Sequence, residues 1–381
     1  WINTTSNTCT ITLPSSAESG DQIVLIDYAR TWGTNAITID SNGLNYQGED
    51  DTYTVEYTTD GQSVNIVYSD ATKGWIPLED DVTALEPVAP PTQKAIFGFG
   101  NLLSGGKTGI TNLVSSSGVV ASDTTAVGTA SASRACTTYG FDKAIFGFGT
   151  DASGRTGSTN LVSSSGVVAS DVSAVGTARN GPMATGYGSD LALFAFGNTG
   201  SNVNTRNLVN NSGVVASDAT GAGTARFSGD AVRYGSAGQA VIAFGGRGGD
   251  ANTDNVSNLV SSVGVVASDT SGVGTARIYI GAVSYGGDKG LFGYGEASGA
   301  AVSMTNKISN TGVVASDITG IAQARKSLGA AGYGGDKGIF AFGTGNSRTN
   351  LVSNTGVVAA EVSAVGSTRE DTTAGGFSTS A

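Results

Sequence analysis

The 381-residue chain contains no histidine. This absence excludes Ser-His-Asp and Cys-His nucleophiles, HExxH zinc sites and the usual histidine-based copper sites. Chemistry that uses carboxylates alone remains open. We therefore expect no metal and no cofactor, and we predict that the protein is not an enzyme.

Cysteine and proline are also scarce, with 2 and 6 residues. Cys9 and Cys136 fall in what we interpret as different domains, so we expect no disulfide between them. Both are interpreted as small buried or half-buried residues. No segment reaches the ~18 apolar residues of a membrane span. Packing must therefore supply the stability of the chain.

Positive charge is in short supply, with 20 Lys and Arg against 31 Asp and Glu and a net charge of -11. Nucleic acids and anionic membrane surfaces both bind proteins mainly through Lys and Arg. The composition therefore predicts neither nucleic-acid binding nor membrane insertion. The chain starts at Trp1 rather than Met, which indicates a processed or incomplete start.

Glycine, in contrast, is abundant, with 58 residues. Together with Val, Ala, Ser and Thr it indicates short strands joined by tight turns. A hexapeptide such as Ala95–Gly100 recurs six times at intervals of about 48 residues, the length of one four-stranded propeller blade. Its third positions are Phe97, Phe146, Phe194, Ile242, Phe292 and Phe340.

Each repeat has the same parts in the same order: an aromatic-Gly strand, a turn, the hexapeptide strand, a loop, Asn-Leu-Val, a Ser-rich turn and Val-Val. The runs are four to six residues long and show no 3.6-residue period, so we interpret them as strands. We predict an all-β fold with a six-bladed β-propeller over residues 94–381. Its units are about 94–142, 143–190, 191–238, 239–288, 289–336 and 337–381.

The two ends of this region are complementary. The first unit starts without an aromatic-Gly strand, and the chain ends with one, Ala374 to Ser378. We therefore predict that the C-terminal strand pairs with the strand at Phe97 and closes the propeller, because a free sheet edge is a hazard.

A carboxylate ends each Val-Val strand, and an Arg follows eight residues later in five of the six units; the first unit has Ser131 instead. Because the two residue types repeat together, we interpret them as a structural ion pair or turn-capping network in each blade. The residues are Asp123, Asp171, Asp218, Asp269, Asp317 and Glu361, with Arg179, Arg226, Arg277, Arg325 and Arg369.

From Arg325 to Thr368, one unit resembles a kelch repeat in its order of parts, although Leu208 and Val214 replace the usual aromatic residues. The phrases TNLVSSSGVVASD and KAIFGFG are similar to repeats in virion proteins of marine bacteriophages. The copper chemistry of some kelch propellers is not implied, since its histidines are missing.

Residues 1–80 contain predicted strands at Thr8 to Leu13, Gln22 to Tyr28, Ala36 to Ile39, Thr52 to Tyr57 and Val64 to Tyr68. We predict a small β-sandwich or β-roll-like domain with Trp32 and Trp75 in its core. Its pattern resembles small β domains of phage tail-fibre proteins, which implies anchoring to other virion proteins and, by analogy, a trimer. Residues 81–93, rich in Pro and acidic residues, are predicted to be a linker.

The loops after the hexapeptide and the segments after each Arg differ between units, whereas the Ser-rich turns hardly change. Antiparallel order places both variable sets on one face, which favours a recognition surface for host glycan or protein. The alternative is unconstrained drift. Candidate contact residues are Arg155, Phe227, Asp230, Arg247, Asp254, Tyr279 and Arg348.

These features together favour a non-enzymatic phage virion protein of the fibre or decoration class, located on the particle. One alternative is an extracellular bacterial adhesion or surface-layer module. Another is a glycan-active propeller enzyme, which would use paired carboxylates ~5–10 Å apart. Asp230, Asp250 and Asp254 could supply carboxylates near the variable face.

Overall fold

The structure is a computed structural model that describes residues 1–79, 93–125, 127–248, 252–320, 322–363 and 365–379. All regular elements in these ranges are strands. The chain divides into two compact units, 1–89 and 90–381. The linker predicted over 81–93 lies outside the described residues, except for Gln93, which begins a strand.

The first unit contains two three-stranded sheets, with strand orders β1-β3-β4 and β2-β5-β6. All pairs are antiparallel except β1 with β3, which is parallel. The strands are β1 (Cys9–Thr12), β2 (Gln22–Ile26), β3 (Ile37–Asp40), β4 (Val55–Tyr57), β5 (Ser63–Tyr68) and β6 (Trp75–Glu79).

Both sheets of the first unit bury side chains in one common core. The alternating burial of β5, whose residues Val64 and Ile66 point inward, follows the two-residue period of a strand. Trp32 and Trp75 are fully buried there, as predicted. The five predicted strands are found, and β6 is an additional strand that starts at Trp75.

The second unit consists of small antiparallel sheets, which we number 1 to 6. Each contains three main strands in the order first, second, third, and the second strand lies in the middle. Sheet 1 has β30 (Thr373–Ser378), β7 (Gln93–Leu102) and β8 (Lys107–Val114); sheet 2 has β9 (Ala135–Tyr139), β10 (Lys143–Gly147) and β13 (Thr159–Val162); sheet 3 has β14 (Met183–Tyr187), β15 (Leu191–Ala195) and β16 (Thr205–Val209).

The remaining strands continue this order. Sheet 4 has β18 (Asp230–Tyr234), β19 (Gln239–Gly246) and β20 (Thr253–Val260); sheet 5 has β21 (Gly281–Tyr285), β22 (Lys289–Gly293) and β25 (Thr305–Ile308); sheet 6 has β26 (Gly329–Tyr333), β27 (Lys337–Ala341) and β28 (Thr349–Val352). Short strands are β11 (Thr150–Asp151), β12 (Gly154–Arg155), β17 (Ala219–Thr220), β23 (Glu296–Ala297), β24 (Ala300–Ala301) and β29 (Arg369–Glu370).

The predicted pairing of the C-terminal strand is confirmed. β30 pairs with β7 in antiparallel register, with Ala374 opposite Phe97 and Phe377 opposite Lys94. Sheet 1 therefore joins segments about 270 residues apart, and Thr372 Oγ1 donates to the Gly98 carbonyl across this separation.

The predicted fourth strand is mostly absent as a continuous strand in the described residues. Sheet 3 has the two-residue β17, and elsewhere the segment pairs only through isolated bridges such as Val114 with Val120 and Thr111 with Thr124. The exposed Ala-Ser-Asp sequence that follows Val-Val offers little apolar surface to hold a longer strand against its neighbour.

Consecutive sheets contact each other through their first strands, and β30 of sheet 1 contacts both β26 of sheet 6 and β9 of sheet 2. Six separate apolar clusters lie at these six junctions, each drawing on two neighbouring sheets. In sheets 1, 2 and 5 a glycine in the second strand makes room for a ring of the next sheet, whereas sheets 3, 4 and 6 have alanine at this position. A Cβ on Gly147 would lie 2.6 Å from Phe194 Cζ.

A backbone hydrogen bond joins each pair of neighbouring sheets at the end where their first strands finish. Gly140 N donates to the Asp190 carbonyl, and the equivalent residue in four further sheets does the same. Ser378 N of sheet 1 donates to the Asp142 carbonyl of sheet 2 and completes the set. The four intermediate bonds are Gly188 to Gly238, Gly235 to Asp288, Gly286 to Asp336 and Gly334 to Gln93.

Candidate recognition face and arginine network

A buried arginine marks the start of five of the six sheets. The five side chains are fully buried, and each guanidinium lies 3.8–4.5 Å from an aromatic ring centroid of the preceding sheet. This aromatic residue is the fifth residue of the hexapeptide and has a left-handed φ near 60°. Cation–π attraction favours such an arrangement in a desolvated site.

The arginine belongs to a chain of polar groups that repeats from sheet to sheet. In sheet 4, Arg226 Nη2 donates to Asn258 Oδ1 at 2.6 Å, and Asn258 Nδ2 donates to Asp269 at 2.9 Å. Thr224 then donates both its N–H and its hydroxyl to Asp269. In sheet 4 every member of this network thus has hydrogen-bond partners, which is the condition for tolerating a buried charge. In other sheets the Nε atoms of Arg277, Arg325 and Arg369 are buried without a hydrogen-bond partner among the described residues.

Each of these arginines faces a carboxylate of its own sheet. The carboxylate eight residues earlier in the chain belongs to the preceding sheet and is not its partner. Arg277 lies 3.5 Å from Asp317, 40 residues later, and four other pairs are separated by 3.9–4.0 Å. The four are Arg179 with Asp218, Arg226 with Asp269, Arg325 with Glu361 and Arg369 with Asp123.

Burial and hydrogen bonding shift the pKa values of both partners. Desolvation lowers the pKa of Arg226 to about 10, which leaves it charged at neutral pH. Desolvation raises the pKa of Asp269, but donation from Thr224 and Asn258 outweighs it, so the pKa lies below the ordinary 3.8. Asp123, Asp171, Asp218 and Asp317 shift in the same direction for the same reasons. The network is therefore ionic at neutral pH.

Sheet 2 uses a substitute for the missing arginine. Arg134, three residues after Ser131, lies 4.3 Å from the Phe99 ring centroid, as the other arginines lie over their rings. It donates to Ser131 Oγ and the Ser158 carbonyl instead of an asparagine, so Asn160 Oδ1 is buried without a partner among the described residues. Sequence comparison of the repeats missed Arg134 because it is shifted by three positions.

The loop end of the six first strands surrounds a central cavity. It encloses about 1000 Å³, counted with the part open to solvent, and residues of all six first strands line it. Six equivalent residues with left-handed φ of 51–59° lie at its rim. Five of them donate their backbone N–H to the carbonyl oxygen of the equivalent residue in the preceding sheet. The six are Ser133, Gly181, Ser228, Tyr279, Ser327 and Asp371.

Of the predicted contact residues, three arginines are exposed. Arg155 donates to Asn180 and Asn198 of the next sheet, at 3.2 and 2.9 Å. Arg247 forms an ion pair with Asp254, and Arg348 forms one with Glu361. Each loop arginine is thus held in place by a neighbour and remains exposed, with 41% of the Arg247 side chain and 49% of the Arg348 side chain accessible to solvent.

The other predicted contact residues are less exposed than expected. Phe227 was predicted to be exposed but is half-buried, because it packs beside Gly181 of sheet 3. Tyr279 and Asp230 are half-buried as well and line the central cavity. The predicted contact residues therefore lie in two different places, the exposed loop tips and the rim of the central cavity.

The carboxylates considered for glycan chemistry have different surroundings. Asp254 is buried and accepts N–H groups of Asn255 and Val256 besides pairing with Arg247. Desolvation raises the pKa of Asp230 to about 7, although Ala231 N donates to it. Asp250 lies outside the described residues. No group of three or more potential metal ligands occurs in the part of the chain that the structure describes.

Comparison with known proteins identified no matching family model and no matching curated protein. Among the described residues there is no helix that could cross a membrane. Assignment of function therefore depends on the geometry of the chain itself.

Proposed function

We propose that the six sheets of the second unit form a closed six-bladed β-propeller, and that the chain is a non-enzymatic phage virion protein that recognises other molecules through its loop end. The propeller is supported by the junction hydrogen bonds, the six equivalent apolar clusters and the pairing of β30 with β7. A sheet closed by strands from both ends leaves no free edge there.

The single observation that carries the recognition proposal is the arrangement at the loop end. Loops that differ between repeats are held on a scaffold that hardly differs, with exposed Arg155, Arg247 and Arg348 fixed by neighbouring side chains. Arginine is enriched among residues that dominate binding energy, and fixing its rotamer lowers the entropy lost on binding. We infer a host glycan or surface protein, or a neighbouring virion subunit, as the partner.

The first unit is proposed to attach the chain to other virion proteins. It has a core of its own that includes Trp32 and Trp75, and its surface carries the exposed aromatic pair Trp1 and Tyr28, with ring centroids 6.2 Å apart. Exposed aromatic side chains are typical interface residues. Trimerisation is part of this proposal by analogy with fibre proteins.

The test is a binding measurement with the full chain, combined with mass spectrometry of purified phage particles. We expect the protein in particles and binding of labelled protein to host envelopes. Arg155→Ser with Arg348→Ser at the loop end should weaken binding about 10-fold or more. Lys143→Ser with Lys289→Ser is the matched control, since these lysines lie at the opposite end of the sheets with side chains 40% and 42% exposed.

Four outcomes contradict the proposal. The protein is absent from particles and binds no envelope, or the lysine control loses as much binding as the arginine variant. Recovery only from the bacterial cell surface would favour the adhesion or surface-layer alternative. Saccharide release that Asp230→Asn abolishes would favour the enzyme.

A further inference from the structure

Repeat five departs from the other repeats at two positions that meet in space. Tyr294 occupies the site of Phe99, Phe148, Phe196, Phe244 and Phe342, and therefore adds a hydroxyl to an otherwise apolar position. Lys307 occupies the site of Leu113, Leu161, Leu208, Leu259 and Leu351. Two changes in one repeat at one junction indicate a local specialisation rather than scattered drift.

The leucine at this position normally fills the gap to the next sheet. A Cβ on Gly166 would lie 2.8 Å from Leu113, and one on Gly213 would lie 2.7 Å from Leu161. Lys307 does not fill the equivalent space, since its Nζ extends to donate to the Thr355 carbonyl at 2.9 Å. A cavity of about 560 Å³, counted with its open mouth, lies here between sheets 5 and 6.

Tyr294 is one of the residues that line this cavity. The residue is 1% exposed, and its Oη has no hydrogen-bond partner among the described residues. The ring is fixed on two sides, by Phe340 with centroids 5.1 Å apart and by Arg325 at 4.5 Å. A buried hydroxyl without a partner costs free energy, so a ligand that supplies one gains affinity.

The rest of the lining defines the ligand class. Ile318, Val357 and Val358 provide apolar wall. Lys307 is the one cation that lines the cavity in the described part of the chain. Its Nζ lies 5.7 Å from the Tyr285 ring centroid and retains donors beyond the one used by Thr355. An apolar wall, one buried hydroxyl and one ammonium match a small molecule with an apolar body and a single negative charge.

We propose that the junction between sheets 5 and 6 is a binding site for a small aromatic or branched aliphatic carboxylate of about the size of benzoate. The carboxylate contacts Lys307, the apolar body lies against Val357, and Tyr294 provides a hydrogen bond at the inner end. This site lies at a junction, is independent of the recognition face, and goes beyond the function proposed above.

The experiment is a titration of the full chain with benzoate, followed by NMR chemical shifts and by calorimetry. We expect shifts at lining residues such as Thr305 and Gly320. Tyr294→Phe should weaken binding about 3- to 10-fold, the usual effect of one neutral hydrogen bond. Lys307→Leu should abolish it, because the leucine refills the cavity and removes the charge. Both variants restore the residue used by the other five repeats, so we expect them to fold.

Lys289→Leu is the charge control, since Lys289 lies at the other end of sheet 5 and bonds Asp288. It should leave benzoate affinity unchanged, and the neutral analogue benzyl alcohol should bind at least 10-fold more weakly than benzoate. The proposal is overturned if benzoate shifts no lining residue, or if Lys307→Leu binds as the unaltered chain does. Equal affinity for benzyl alcohol, or an experimental structure soaked in benzoate that holds only ordered water at Tyr294, overturns it as well.

Discussion

The two ends of the six sheets differ in how much their sequence varies, and the structure gives different reasons for each. At the turn end, the glycine of each Ser-rich turn lies under an aromatic ring of the preceding sheet: a Cβ on Gly213 would lie 2.9 Å from Tyr139 and one on Gly264 2.7 Å from Tyr187. At the loop end, the residues that are the same in most repeats belong to the buried arginine network. The loop tips above this network make few packing contacts, so their sequence can vary.

This difference shows that residues constant between repeats are those that pack against a neighbouring sheet. Residues that vary between repeats lie in loops that the sheets support but do not pack against. The repeated Asp and Arg residues accordingly stabilise the sheets. The loop arginines and the paired changes at Tyr294 and Lys307 are the positions where a function distinct from folding is expected. Four predictions test this distinction, in order of decreasing effect.

The largest effect is expected from Arg226→Met. It removes a buried guanidinium and leaves Asn258 and Asp269 without their partner, which should lower the free energy of unfolding of the second unit by about 3–5 kcal/mol. The exposed Arg155→Met is the control and should cost less than about 1 kcal/mol. Urea unfolding measures both, and equal losses would contradict a structural role confined to the buried network.

The next effect is expected at the turn end. Gly213→Ala at φ +80° must place its Cβ against Leu161 and Tyr139, which overpacks the junction by about 1–3 kcal/mol beyond the backbone strain. Gly345→Ala has nearly the same φ, +82°, and open space around the new Cβ, so it reports the backbone strain alone. If thermal unfolding shifts equally for the two variants, packing does not explain the constant turns.

A smaller effect should separate sheet 2 from sheet 3. Asn207 Oδ1 accepts from Arg179 at 2.7 Å, whereas Asn160 Oδ1 has no partner among the described residues. Asn207→Ala should therefore lower the free energy of unfolding by about 1–2 kcal/mol more than Asn160→Ala does, because it also removes the acceptor of the buried Arg179 guanidinium. Chemical denaturation measures both. The same loss for both would mean that the shift of Arg134 has no energetic consequence.

The smallest effect is expected from pH, because Asp230 is half-buried and solvent screens part of its charge. Desolvation raises the pKa of Asp230 from 3.8 to about 7, so the folded state holds a proton that the unfolded state releases. Stability should therefore decline as pH rises from about 4 to about 7 and then level off. Asp230→Asn should remove this decline and be the more stable form at pH 8. Identical pH profiles by thermal unfolding would contradict the shift.

Much of the fold could be predicted because the repeat presents the same evidence six times. The strands near Phe97 and its equivalents, the inward tryptophans and the pairing of β30 with β7 all follow from local pattern and spacing. What the pattern could not reveal depends on contacts between distant segments. Arg277 pairs with Asp317 rather than with the neighbouring Asp269, since strand pairing rather than chain distance sets which groups meet.

The candidate site was harder to predict for a related reason. Sequence variability identifies a loop but not the direction of its side chains, so exposed Arg155 and half-buried Phe227 received the same interpretation. The substitution of Lys307 for a leucine was visible in the sequence as a variant of Asn-Leu-Val. Its meaning required knowing that this leucine fills a junction between two sheets.

The pairing of β30 with β7 has a consequence for how the protein is made. β7 is synthesised about 270 residues before the strand that covers its edge. Until that strand emerges from the ribosome, the backbone groups of β7 and the ring of Phe97 have no native partner on one side. The nascent chain therefore carries an unpaired strand edge, which favours aggregation, until residues 373–378 are released.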